Sequence, residues 1–307
     1  MVSDDTDIRN LPLAELIERA NILVEAIPYI KEFRGCRVVI KYGGHAMIDP
    51  GLKKNVIQDI VLMQYVGMKP VVVHGGGPEI SDLMKKMRLE PKFVDGQRVT
   101  DAETLDVAEM VLAGKLNGEI VNQIHQLGGR AVGVSGKDAG LIRARKYTMP
   151  SSAGEATADI GFVGEVEQIS PEIISVLDEK QFIPVISPIG VDSSGQTYNI
   201  NADSVAAELA IALKARKLIL LTDVKGILRN LNDDSSLLPS IHIDELEGLI
   251  EKGVIGGGMI PKVRACLRAL NAGVRKTHIL DGRIPHALLL ELFTDKGIGT
   301  QIVKNAT

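Results

Sequence analysis

Short, largely apolar runs recur along the chain, each stopping at a polar or charged residue. They are Val38-Val39-Ile40, Val71-Val72-Val73, Ala131–Val134, Phe182–Ile186, Leu218–Leu221 and Thr277–Leu280. A strand with one solvated face alternates apolar and polar residues, whereas a strand covered on both faces does not. Between the runs the apolar spacing changes to three and four, as in Val56, Ile60, Met63 and Val66, which predicts helices. Strands buried on both faces and separated by helices predict a mostly parallel sheet with right-handed crossovers. Composition agrees: 45% of the 307 residues are hydrophobic, only 3% are aromatic and tryptophan is absent. The core must therefore be Val, Ile, Leu and Ala.

Two regions leave this rhythm. Leu13, Leu16, Ile17, Ala20, Leu23, Val24 and Ile27 form a helical stripe ahead of the first strand, expected to end near Pro28. Either this helix packs on its own domain, or it is an arm whose stripe binds another subunit. Residues 140–168 read as a β-hairpin, Leu141–Arg145 against Ile160–Val166, with a flexible Ser/Ala/Gly-rich tip at 151–158 that would serve as a lid. The net charge of −4 argues against nucleic acid and against an acidic membrane surface. No apolar run reaches membrane-spanning length, and Ser3–Asp7 is too acidic for a presequence, so a cytoplasmic location is expected. Cys36 and Cys266 lack metal-ligand spacing and are expected to be reduced packing residues.

Four segments carry chemistry: Ile40–Gly44, Val73–Pro78, Asn199–Asp203 and Gly257–Lys262. Lys41 ends a strand beside Gly43 and Gly44, where a phosphate can approach the backbone and meet a compact charge. Gly75-Gly76-Gly77 precedes Pro78 at the start of a helix, where free N–H groups and the helix dipole make an anion site. His74 beside it is expected to be a packed or loop-bonding histidine rather than a base. Asp203 either caps a helix over 204–213 or orients lysines and keeps them charged. Lys262 lies in the first turns of a helix over 261–270, an unfavourable place for a cation unless an anion is bound there. Two lysines bracketing a transferring phosphoryl group suit phosphoryl transfer, which depends on positioning and charge neutralisation. A carboxylate acceptor is already ionised at neutral pH, so no protein base is required. The Gly-Lys pairs at 114–115 and 136–137 lack the Ser or Thr of a Walker A loop, and no Gly-x-Gly-x-x-Gly follows the first strand.

Taken in order, KYGG, VHGGGPEI, GQRVTD, DIGFVGEV, NINAD, LILLTDVKGIL and GGMIPKV resemble the N-acetylglutamate kinases of the amino acid kinase family, from about residue 21 onward. The resemblance implies an α/β fold, an open three-layer αβα sandwich around a mainly parallel sheet in two lobes, with an extra N-terminal helix. It implies an arm at 1–35, an N-acetylglutamate-binding and dimerising lobe at 36–212, and an ATP- and arginine-binding lobe at 213–307. Lys41 and Lys262 would stabilise the phosphoryl group and Asp203 would organise both. Gly76, Gly77, Arg98 and Asn199 would bind the substrate. Gly43, Gly44, Thr222, Asp223, Val224, Lys225, Gly226, Gly257 and Gly258 would line the nucleotide site. Mg²⁺ would arrive with ATP, with no metal site of the protein's own. The product would be N-acetylglutamyl 5-phosphate, an intermediate of arginine synthesis.

The N-terminal helix and the tail Leu290–Thr300 resemble those of arginine-inhibited, hexameric members built as trimers of dimers. That resemblance implies an arginine site including Tyr29, Lys217, His278, Glu291 and Gly297. Asp281–His286 also resembles members bound by a PII-type signalling protein. Two alternatives share these features: a sibling kinase of free glutamate or aspartate, and an idle sensor that binds arginine without catalysis.

Overall fold

A computed structural model of the chain describes residues 11–47, 49–148 and 159–304. Its strands begin with β1 (Arg37–Tyr42), β2 (Lys69–His74), β3 (Phe93–Val94), β4 (Gln97–Arg98), β5 (Ala131–Ser135), β6 (Ile142–Lys146) and β7 (Val163–Ile169). They continue with β8 (Ile183–Ser187), β9 (Ile189–Val191), β10 (Thr197–Ile200), β11 (Lys217–Thr222), β12 (Ser240–His242), β13 (Lys276–Asp281) and β14 (Thr300–Val303). The helices are α1 (Leu13–Glu25), α2 (Ile27–Phe33), α3 (Pro50–Tyr65), α4 (Gly77–Lys86), α5 (Ala102–Glu109) and α6 (Asn117–Gln126). After them come α7 (Glu172–Glu179), α8 (Ala202–Ala212), α9 (Leu246–Glu251), α10 (Met259–Asn271) and α11 (Ala287–Leu292).

One eight-stranded sheet runs in the order β12-β14-β13-β11-β1-β2-β8-β5. All neighbours are parallel except β13 with β14, as the continuous aliphatic runs predict. Alternate residues of each run enter different cores. Val38, Ile40, Tyr42, Ile219 and Leu221 pack with α3, α6 and α11. Val39, Leu218 and Leu220 pack on the other face with α8 and α10. A fully buried side chain of this kind contributes about 1.5–3 kcal/mol of transfer free energy, so the two clusters dominate stability. The central strand β1 lies between β2 and β11, with Lys41 opposite Val73 and Leu220. The chain leaves β1 for β2 on one side and reaches β11 on the other much later. This reversal opens a crevice at the carboxyl ends of the strands, where open α/β sheets bind ligands.

The predicted hairpin is β6 paired antiparallel with β7, and β9 and β10 close it into a four-stranded barrel. Its expected flexible tip at 151–158 lies outside the described residues, as does the acidic segment Ser3–Asp7. The N-terminal helix α1 ends at Glu25, close to Pro28 as expected, and a second helix, α2, follows at once. Pro28 falls in the first turn of α2, where its missing N–H has no partner to lose. Ala26 keeps right-handed helical angles between α1 and α2, so the helical path continues to the buried Phe33. No residue of α1 is buried, and Leu13, Ile17, Ile22, Leu23 and Val24 are exposed. In this structure α1 buries no side chain against its own domain. Among the described residues no helix is long and apolar enough to cross a membrane, and Cys36 and Cys266 are free thiols.

Candidate active site

Lys41 projects from the end of β1 towards the face that carries α8. Asn201 caps α8, its Oδ1 accepting from the N–H groups of Asp203 at 2.9 Å and Ser204 at 3.1 Å. The capping alternative for Asp203 is thus filled by Asn201, and the Asp203 carboxylate is free to face the lysines. Lys262, one turn into α10, donates to Asp203 Oδ2 at 2.8 Å. Lys41 Nζ lies 3.3 Å from Oδ1, an ion pair without an aligned hydrogen bond. Burial would raise the Asp203 pKa, but Lys41 and Lys262 outweigh it and hold the group below the ordinary carboxylate value. The result is two ammonium groups fixed by one buried carboxylate, with N–H bonds still available to a ligand.

Opposite this bracket is the glycine loop between β2 and α4. A side chain at Gly76 would lie 2.5 Å from Leu112 and 2.9 Å from Leu116, so the backbone presses directly on that wall. Both leucines come from a π-helical stretch, Met110–Leu116, that joins α5 to α6. Single π turns often occur at functional sites. Asn117, immediately after it, donates to Val185 O at 2.9 Å and meets His74 Nε2 at 3.2 Å. Burial pushes the His74 pKa down to about 4, so the ring is neutral. Nδ1–H then donates to Gly75 O at 2.8 Å, and Nε2 accepts from Asn117. His74 is a strut for the loop, as expected, with both nitrogens engaged. Gly43 serves a second close approach, since a Cβ there would lie 2.7 Å from Lys41 Nζ.

A cleft of about 210 Å³ brings together Lys41, Gly43, Gly44, Gly76, Gly77, Asp203 and Lys262. Met47, Glu79 and Asn201 also line it and were not singled out in the sequence. Arg98, Asn199, Thr222–Gly226 and Gly257-Gly258 are not among its lining residues. Arg98 donates to Gly77 O at 2.8 Å and Ser81 Oγ at 2.7 Å, with its guanidinium 4.8 Å from the Phe93 ring centroid. Asn199 sits on β10 opposite Val163. Gly44 is against Asp223, at the end of β11, where Thr222 O accepts from Gly282 N–H. Val224 is exposed, Lys225 pairs with Asp234, and Gly226 packs against Thr300. Gly257 has a φ of 50°, and Gly258 immediately precedes α10. Among the described residues no group of three or more His, Cys, Asp or Glu side chains is arranged to hold a metal ion.

A second cavity, about 390 Å³, lies at the opposite end of the strands and is lined by Tyr29, Lys217, His278, Glu291 and Gly297. Its centre is a buried relay. His278 Nδ1 donates to Glu291 Oε1 at 2.7 Å, leaving Nε2 to accept from Lys217 Nζ at 3.3 Å. Burial, and then Lys276, push the Lys217 pKa down to about 8. Burial likewise lowers the His278 pKa. Glu291 is held below the ordinary value because His278 outweighs its burial. Its second oxygen accepts from Ile298 N–H at 2.9 Å. At the rim, Tyr29 donates to Asp295 at 2.5 Å, tying α2 to the tail.

The model of the amino acid kinase family matches residues 37–281. The chain belongs to this family. It is 55% identical to the acetylglutamate kinase of Moorella thermoacetica, over 94% of this chain and 98% of that protein. Among solved structures it resembles an N-acetylglutamate synthase from Neisseria gonorrhoeae, complexed with coenzyme A and N-acetyl-glutamate. That match has a TM-score of 0.80 at 27% identity and covers 94% of this chain. The same synthase complexed with coenzyme A and L-arginine matches with a TM-score of 0.77 at 25% identity, over 94% of this chain. The chain spans 64% and 66% of the two synthase chains. The family and its named relatives together make this chain a kinase of the acetylglutamate kinase type.

Proposed function

We propose that the chain transfers the terminal phosphoryl group of ATP to the γ-carboxylate of N-acetyl-L-glutamate. The observation that carries this reading is the Lys41–Asp203–Lys262 bracket facing the Gly76-Gly77 backbone across one small cleft. A carboxylate oxygen attacks the γ-phosphorus, one P–O bond forms, and the bond to the bridging oxygen of ADP breaks. The attacking group is already an anion, so no proton moves and no base is used. His74 has no free nitrogen to act as one. As negative charge spreads over the transferring group, Lys41 and Lys262 offset it from fixed positions. Asp203 holds both ammonium groups in place.

Gly76 and Gly77 N–H groups hold the acceptor, and Arg98 and Asn199 hold its α-carboxylate. Thr222–Gly226, Gly43, Gly44, Gly257 and Gly258 hold ATP, whose Mg²⁺ comes with the nucleotide. In this reading 36–212 is the substrate lobe and 213–307 the nucleotide lobe. The second cavity is an arginine site. Its Glu291 and Asp295 carboxylates suit a guanidinium, and Lys217 suits an α-carboxylate. The exposed stripe of α1 joins dimers into a hexamer.

The test is ATP turnover with N-acetylglutamate, trapping the acyl phosphate with hydroxylamine, with and without arginine. Trapped product suppressed by arginine is the expected result. Product formed from free glutamate or aspartate instead would overturn the substrate assignment. Turnover indifferent to arginine would remove the second site's role and leave the first.

A further inference from the structure

The edge of the sheet opposite the catalytic cleft carries a row of cations. In the sheet register Arg37 on β1 stands beside Lys69 on β2, and Lys217 on β11 stands beside Lys276 on β13. Like charges side by side on neighbouring strands repel, yet the chain as a whole is acidic, with a net charge of −4. Part of this row opens into a cleft of about 630 Å³ lined by Arg37, Lys69, Lys214, Arg216 and Arg275, with no acidic side chain among its lining residues.

Helices end on this side of a parallel sheet, and their carbonyl ends attract cations. That accounts for Arg37, which donates to Leu213 O at 3.3 Å as well as to Asp178 at 2.5 Å. Arg216 is paired with Glu32. Lys69, Lys214 and Arg275 have no carboxylate or carbonyl partner among the described residues. Lys214 holds a left-handed backbone conformation, with φ of 49°, just after α8. Glycine or asparagine is usual at such a position, so its side chain and not its backbone accounts for the lysine.

We propose that this cleft binds a compact polyphosphate, a di- or triphosphate that is either free or the tail of a nucleotide. Three uncompensated cations converging on one concavity match a multiply charged anion. The planar guanidinium of Arg275 suits phosphate oxygens, and Lys69 and Lys214 add compact charge beside it. Double-stranded nucleic acid is disfavoured by the negative charge of the whole chain. The cleft shares Arg216 and Arg275 with the neighbouring 390 Å³ cavity, so an anion here alters the charge seen there.

The experiment is calorimetric titration of the full-length protein with tripolyphosphate at fixed ionic strength. The wild type is expected to show two sites per chain. Lys41→Ala with Lys262→Ala should remove the catalytic one. Lys69→Gln with Lys214→Asn should weaken the other at least about tenfold. Asparagine tolerates the left-handed position, and retained kinase turnover shows that this variant folds. Lys69→Gln alone provides a milder check. Displacement from the second site by ATP identifies a nucleotide tail, and failure of displacement identifies free polyphosphate. A single wild-type site, abolished by the Lys41 and Lys262 changes, would overturn the proposal. So would a second site indifferent to Lys69 and Lys214.

Discussion

The two ends of the sheet hold charge in different ways. At the carboxyl ends of the strands, two lysines share one buried aspartate, with Lys41 at the end of β1 and Asp203 and Lys262 in the first turns of α8 and α10. At the opposite end, Lys217 and Glu291 meet through the neutral ring of His278, and the wall is assembled from α2, β11, β13 and the tail. The first arrangement ties two cations to one buried carboxylate in a fixed geometry. The second leaves Lys217 near its titration point, at about 8. A site meant to stabilise transferring charge needs fixed cations, whereas a site meant to report on a ligand gains from groups whose state the ligand alters.

The sharpest way to break this comparison is at the catalytic end. Lys41→Ala or Lys262→Ala should each lower kcat about 10²–10³-fold, the size of removing one fixed donor from a transition state. Steady-state kinetics decides it, and near-wild-type turnover in both variants would dissolve the bracket. A smaller effect is expected at the other end. Lys217 is protonated below about pH 8 and neutral above it, so arginine inhibition should weaken as pH rises through that value. Glu291→Gln should weaken inhibition at every pH while leaving uninhibited turnover near wild type. Inhibition curves measured from pH 7 to 9.5 test both, and a flat profile would remove Lys217 from ligand binding. The least effect on chemistry should come from deleting residues 1–26. Light scattering should then report smaller assemblies with turnover retained, and an assembly unchanged in size would refute the role of α1.

Much of the catalytic end was legible because its residues follow the chain's own punctuation. Lys41, Gly76 and Asp203 lie at or just past the ends of apolar runs, so they could be named from those runs and the glycines beside them. Asn201 was legible in principle, being an asparagine two residues before Asp203 at a helix start, the usual capping position. Asn117 and the π-helical wall behind Gly76 carry no such local mark. The end of α1 near Pro28 was legible, but α2 directly after it was not, because proline both ends helices and begins them. The cation row across β1, β2, β11 and β13 was invisible because register, not sequence distance, brings those residues side by side.

By itself the sequence determined the alternation of strand and helix, the burial of the sheet on both faces and the placing of lysines and glycines at strand ends. Periodicity and backbone chemistry act over a few residues and can be read there. Tertiary structure alone decided that Asp203 would hold two lysines distant in sequence, Lys262 being 59 residues away and Lys41 farther still. It also decided that α1 would bury nothing, and that Lys217, His278 and Glu291 would meet inside the protein. Those outcomes depend on strand order and packing, which no short stretch of chain encodes.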